Sequence, residues 1–309
     1  MWSSRYIVGA ATVVVASLAV MAGAVMLLED TFIYFPTRYP DGDWTPIFAP
    51  PREGEVRPSI EDCFFSAVDG VKLHGWYCAP QRQEGGLPRR VDTKVVLLYF
   101  HGNAGNLTYR LDMIQLLLQI PVDVFIIDYR GYGKSEGTPT EEGLYRDADA
   151  AWRELTVTRA TQPDRIVIFG KSLGGAPAVD LARRVPAAGL IVQSSFTSAA
   201  DMAAEVMPFV PRFLLRTRFD SVGKIQDVAC PKLIIHSPAD EVVPYKLGRR
   251  LYEAASPPKL FFEVPHAGHN ETHFAGGRPY FDALREFIDS CAARAAPARA
   301  APARAAPRS

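Results

Sequence analysis

Residues 166–175, Ile-Val-Ile-Phe-Gly-Lys-Ser-Leu-Gly-Gly, constrain what this chain can fold into more than any other stretch. Four apolar residues, three of them β-branched, predict a short strand buried on both faces, and a Gly-x-Ser-x-Gly turn follows at once. Ser172 is therefore expected on a tight strand-to-helix bend. Gly170 and Gly174 serve such a bend because side chains there would collide with the neighbouring strand or helix. A helix is expected over residues 173–184, with Pro177 in its first turns, where a missing N–H costs little. Its start near Leu173 would aim unpaired backbone N–H groups at whatever the Ser172 hydroxyl attacks.

The flanking sequence supplies the rest of an α/β architecture. Residues 94–100, 122–127, 189–193, 232–236 and 259–264 are short apolar runs. Helical patterns at 106–120 and 140–158 separate the early ones. Strands alternating with helices imply a mostly parallel sheet with right-handed crossovers and reactive loops at the strands' carboxyl ends. Three loops fall at such ends. Residues 101–106, His-Gly-Asn-Ala-Gly-Asn, can bring a backbone N–H close to a substrate oxygen; Asp240 follows the 232–236 run; His269 follows the 259–264 run. Glu241, His266 and His273 are alternative acid and base candidates. His74 reads as structural, and His101, Asp128 and Arg130 as residues that shape loops.

These pieces, in this order, resemble the α/β-hydrolase fold. Within it they resemble the membrane-associated serine hydrolases typified by the α/β-hydrolase-domain-containing proteins 13 and 17. The matching motifs are Phe-His-Gly-Asn-Ala-Gly-Asn from Phe100, Asp-Tyr-Arg-Gly-Tyr-Gly-Lys-Ser-Glu-Gly from Asp128, the Ser172 elbow, Ser-Phe-Thr-Ser from Ser195, the Asp240 loop and Gly268-His269-Asn270. The resemblance spans roughly residues 60–290, and a serine at position 237, where relatives usually carry glycine, leaves it intact. It implies Ser172 as nucleophile, His269 as general base and acid, and Asp240 as the group that orients the imidazole. The oxyanion would be met by the backbone N–H groups of Leu173 and Asn103. The reaction expected is hydrolysis of an ester or thioester of an acyl chain. Amide hydrolysis and non-catalytic binding are the alternatives, the latter because fold alone does not fix function. The motifs call for neither a cofactor nor a metal.

Outside that core, residues 6–28 carry no charge and are long enough as a helix to cross the roughly 30 Å hydrocarbon layer. A membrane anchor is expected over residues 1–29, with Arg5 on the cytoplasmic side and the hydrolase domain on the other. Ala22-Gly23-Ala24 also suits a signal-peptide cleavage site. Residues 30–58 read as a linker rich in proline and aromatics, residues 59–290 as the catalytic domain, and residues 195–224 as an apolar insertion able to roof a pocket. Residues 291–309, with Arg294, Arg299, Arg304 and Arg308 among alanines and prolines, are expected to be disordered. Lys plus Arg and Asp plus Glu each total 34, so charge gives no basis for nucleic-acid binding. A β-hairpin turning at Asp69-Gly70 would set Cys63 and Cys78 diagonally on one face, about 7 Å apart.

Overall fold

The computed structural model describes residues 23, 29–46, 52–208 and 211–295. Strands β1 (Val56–Ser66), β2 (Lys72–Glu84) and β3 (Leu87–Arg90) precede β4 (Val95–Phe100), β5 (Val122–Asp128) and β6 (Ile166–Lys171). Then follow β7 (Gly189–Gln193), β8 (Lys232–His236) and β9 (Lys259–Glu263). They form one sheet in the order β1-β2-β5-β4-β6-β7-β8-β9, with β3 pairing on β2 outside that path. From β5 to β9 all neighbours run parallel, while β1 and β2 join antiparallel.

The apolar runs became strands because both faces of the sheet are covered. Val96, Leu98 and Phe100 of β4 face one core cluster, while Val95, Leu97 and Tyr99 face the other. The first face packs on helices α2 (Glu141–Arg153) and α3 (Gly175–Arg184), through Leu144, Ala148, Val179 and Leu181. The second packs on α1 (Leu111–Leu117) and the long α7 (Thr272–Ala295), through Ile114, Leu117, Tyr280 and Leu284. Helices α4 (Ala199–Val206), α5 (Ser221–Ile225) and α6 (Tyr245–Ala254) complete the set. The chain leaves β4 for β5 on one side and returns to β6 on the other, so the strand order reverses between β4 and β6. The carboxyl ends of strands at such a reversal are where a crevice opens.

Several elements differ from expectation. The helix over 173–184 starts as a 3-10 turn, Ser172–Gly174, and becomes α-helical only at Gly175. The helix expected at 140–158 is capped by the Thr140 side chain and ends as a wider turn, Glu154–Thr158. Residues 291–295 continue α7 rather than being disordered, because Cys291 extends the Phe287 and Ile288 stripe and is fully buried. The hairpin is shifted by one residue: Ser66 pairs with Lys72 and Cys63 with Gly75. The Ala67 N–H donates to the Val71 carbonyl at 2.9 Å, which leaves a three-residue loop with Gly70 at φ +83°, so the Asp-Gly pair does not form the two-residue turn the sequence suggested. A one-residue slip moves side chains to the other face. Cys63 and Cys78 therefore belong to opposite core clusters, and all four cysteines are free thiols.

No helix among the described residues is long and apolar enough to cross a membrane. The stretch expected to do so, 6–28, lies outside the described residues except for Gly23, as does the tail from 296. The 30–58 stretch is built into the domain over its described part. Tyr34 is buried against Phe219, Trp44 packs on Trp76, and residues 36 and 38 bridge to Gly105 and Gly133.

Candidate active site

Ser172 adopts φ +52°, a left-handed conformation that a side chain rarely tolerates. The surroundings enforce it. A Cβ at Gly174 would lie 2.1 Å from the Phe100 carbonyl oxygen, and one at Gly170 would lie 2.4 Å from the Gly174 carbonyl oxygen. Helix, turn and neighbouring strand thus meet with no space for more atoms. The Ser195 hydroxyl donates to the Ser172 carbonyl at 2.8 Å, fixing the bend from the end of β7. Strain held this way at one nearly buried serine is a mark of a functional position.

His269, in the loop after β9, sets Nε2 3.0 Å from Ser172 Oγ. Its Nδ1 lies 2.9 and 3.0 Å from the two Asp240 carboxylate oxygens. An ionised carboxylate only accepts, so Nδ1 carries the proton and Nε2 faces the serine hydroxyl as an acceptor. Asp240 in turn accepts from the Val242 and Val243 amides at 3.0 and 2.8 Å. Burial pushes its carboxyl up, but the contacts from His236 and His269 and the Val243 amide outweigh burial and hold it well below the usual carboxylate range. The charge facing His269 is therefore kept. The three residues, 68 and 29 positions apart in sequence, come together because each lies in the segment that follows a parallel strand, at the carboxyl edge of the sheet.

The neighbouring candidates take other places. Glu241 accepts the His269 backbone N–H at 3.0 Å, so it fixes the histidine's main chain while Asp240 fixes its ring. His266 is exposed at φ +59°. His273 is buried at the start of α7, where burial, followed by the nearby Lys171 charge, pushes its pKa down to about 4. His101 donates from Nδ1 to Gly102 O at 2.7 Å, and Asp128 accepts the Leu107 N–H at 2.8 Å, so both shape the loop after β4. A Cβ at Gly102 would sit 3.5 Å from Ser172 Cβ, so this loop runs in contact with the serine. Neither the Asn103 nor the Leu173 N–H donates to another group among the described residues. The Asn103 side chain turns away to bond residues 33, 35 and 132.

Ser172 opens into a cavity of about 690 Å³. Its lining is apolar: Leu173, Phe196, Met202, Val206, Phe219 and Val243 among others, with Phe32 and Ile33 from the N-terminal segment. Of the insertion read as a possible roof, Met202, Met207 and Leu215 do line it, while Phe213 is exposed and Phe209 and Val210 lie outside the described residues. Glu29, Phe32 and Ile33 were not expected here. Nothing local marks them, since their partners are far away in sequence. No group of three or more His, Cys, Asp or Glu side chains among the described residues could hold a metal ion.

This chain belongs to the α/β-hydrolase family, and the family's fold model matches residues 95–221. It is 36% identical over 284 residues to the uncharacterized Mycobacterium tuberculosis protein Rv2307c, covering 90% of this chain and 95% of that one. It is 32% identical to the α/β-hydrolase domain-containing protein WAV2 of Arabidopsis thaliana, covering 75% and 79%. To the human α/β-hydrolase domain-containing protein 17B it is 36% identical, covering 64% and 67%. Among solved structures, the Pyrococcus furiosus esterase Pf2001 superposes with a TM-score of 0.62 at 19% identity, covering 80% of this chain and 98% of that one. That last likeness is one of fold.

Proposed function

We propose that this protein is a serine hydrolase that cleaves carboxylic esters or thioesters of apolar acyl chains through an acyl-enzyme intermediate. The observation that carries the reading is the continuous line from Asp240 through His269 to Ser172 Oγ, ending at an apolar cavity. In this scheme His269 Nε2 takes the Ser172 proton as Oγ attacks the acyl carbon, then returns it to the departing alcohol or thiol. Water, deprotonated by the same nitrogen, then attacks the acyl-serine, and the bond to Ser172 Oγ breaks as that oxygen takes the proton back from His269, releasing the carboxylic acid. Asp240 stabilises the imidazolium formed in each half. The unpartnered N–H groups of Leu173 and Asn103 would receive the oxyanion, each such donor typically contributing about 3 kcal/mol to the barrier reduction.

An apolar cavity with few polar groups suits an acyl chain better than a polar head. Phe32 and Val206 line it and are largely exposed, and Phe32 lies four residues past the uncharged 6–28 stretch. This supports a lipid-derived substrate reached by an enzyme held at a membrane through its N-terminal stretch; Arg5 before that stretch and Glu29 and Asp30 after it would set the hydrolase domain on the extracytoplasmic side.

Ser172→Ala and His269→Ala are each expected to lower turnover of a p-nitrophenyl acyl ester at least about a thousandfold. Labelling by a fluorophosphonate should vanish in Ser172→Ala. Turnover retained in either variant, or a natural chain that never labels, would overturn the assignment.

A further inference from the structure

The loop that carries Asn103 is not held by its own strand end alone. The Asn103 Oδ1 accepts from the Phe35 N–H at 3.1 Å and from the Tyr132 hydroxyl at 2.9 Å, while its Nδ2 donates to the Ile33 carbonyl. Two residues on, Gly105 exchanges main-chain bonds with the same segment: Thr37 N to Gly105 O at 3.0 Å and Gly105 N to Phe35 O at 3.2 Å. The other end of this segment is pinned to the far wall of the cavity. The Glu29 carboxylate, 3% exposed, accepts from the Arg216 and Thr217 amides at 2.9 and 2.8 Å. Between the two ends, Phe32 and Ile33 line the cavity, and Tyr34 packs edge-on against Phe219. Residues 29–37 thus form a strap from the roof of the cavity to the loop beside Ser172.

We propose that Asn103 is a positioning residue through which this strap sets the oxyanion site, so that filling the cavity with an acyl chain raises the rate of the chemical step itself. This rests on the serine-hydrolase reading above. Asn103 lies in irregular backbone, with no helix or strand ladder to fix its N–H. Its side chain supplies that constraint by gripping the strap at two main-chain groups. An acyl chain in the cavity touches Ile33, whose carbonyl Asn103 grips, and its neighbour Phe32, and presses the strap into its seat. Binding energy from a remote part of the substrate is then used at the reacting centre, which appears in kcat rather than only in KM.

The test compares p-nitrophenyl acetate, butyrate and octanoate on the full chain, Asn103→Ala, Asn103→Asp and the Ser172→Ala control. In the natural chain kcat should rise with acyl length. Asn103→Ala should lose at least tenfold in kcat on octanoate but less on acetate, with KM changed under threefold and the thermal midpoint near that of the natural chain. Asn103→Asp keeps the acceptor for Phe35 and loses the donor to Ile33, so it should fall between, which separates positioning from general damage. The proposal is overturned if kcat of Asn103→Ala is unchanged, if it falls by one factor for all three esters, or if only KM moves. If Ser172→Ala still turns over, the serine reading fails and takes this one with it; an inert Ser172→Ala beside an unaltered Asn103→Ala sinks the strap alone.

Discussion

Lys171, the residue before the nucleophile, is 7% exposed and makes no salt bridge or hydrogen bond through its ammonium among the described residues. Burial, then the nearby Arg110 charge, pushes its pKa from 10.5 down to about 8, with Asp240 opposing. Its sign is that of a base depressed on folding. Below pH 8 the folded chain holds an ammonium in a poor site. Between 8 and 10.5 the unfolded chain keeps the proton that the folded chain has lost, so folding strengthens as pH rises through that window. Lys171→Met is therefore expected to stabilise the protein at pH 7 by up to roughly 3 kcal/mol, an advantage that shrinks by pH 10. Urea unfolding of both chains at the two pH values measures this directly. An equal effect at both would mean that burial does not set the lysine. The burial of Lys171 is not legible in the sequence, because nothing in a pentapeptide tells which face its second residue enters.

At the scale of elements, the exit of β5, the hairpin turn and helix α2 are joined by one guanidinium. Arg130 donates from Nε and Nη2 to Asp147 at 2.9 and 2.8 Å and from Nη1 to Asp69 at 2.9 Å, while its backbone N–H also reaches Asp147. Asp147 is fully buried, and burial outweighs Arg130 in raising its carboxyl. Arg130→Ala would strand that carboxylate, with an expected loss of about 3–5 kcal/mol in denaturant unfolding. Adding Asp147→Ala should return part of the loss, since an apolar gap costs less than an unpaired buried charge; strict additivity of the two would contradict the link. The strands were legible because parallel strands covered on both faces are apolar at every position, as in β4 and β6. The hairpin was not fully legible. Asp69-Gly70 fits a two-residue turn and a three-residue turn closed by a left-handed glycine, and only packing of β1 on the core chooses between them. That one choice moved Cys63 and Cys78 to opposite faces. The triad candidates were readable for a different reason: each is a reactive side chain in the segment that follows a strand, and parallel topology gathers such segments whatever their distance along the chain.

At the scale of the whole molecule, the cavity is built from pieces that share no sequence neighbourhood: Glu29 with Phe32 and Ile33, Asn103, the Ser172 turn, the stretch from Phe196 to Met207 with Leu215 and Phe219, and Glu241 to Val243. Glu29 bonds amides 187 and 188 positions away, which no local pattern could announce. A ligand that fills the cavity therefore ties the N-terminal segment to helix α4 and to the Asp240 loop, and should stabilise the fold in proportion to the apolar surface it covers. Phosphonylating Ser172 with alkyl fluorophosphonates isolates this effect, because the covalent bond is the same and only the chain varies. Each buried methylene contributes up to about 0.8 kcal/mol, and about 1 kcal/mol shifts the midpoint of a domain this size by roughly 2–4 °C. The octyl adduct should thus melt several degrees above the ethyl adduct, and Ala203→Trp, which narrows the cavity, should abolish the difference while leaving the ethyl adduct little changed. Equal midpoints for ethyl and octyl adducts of the natural chain would mean that the alkyl chain lies outside the cavity, and the acyl-chain reading of the substrate would fall with it.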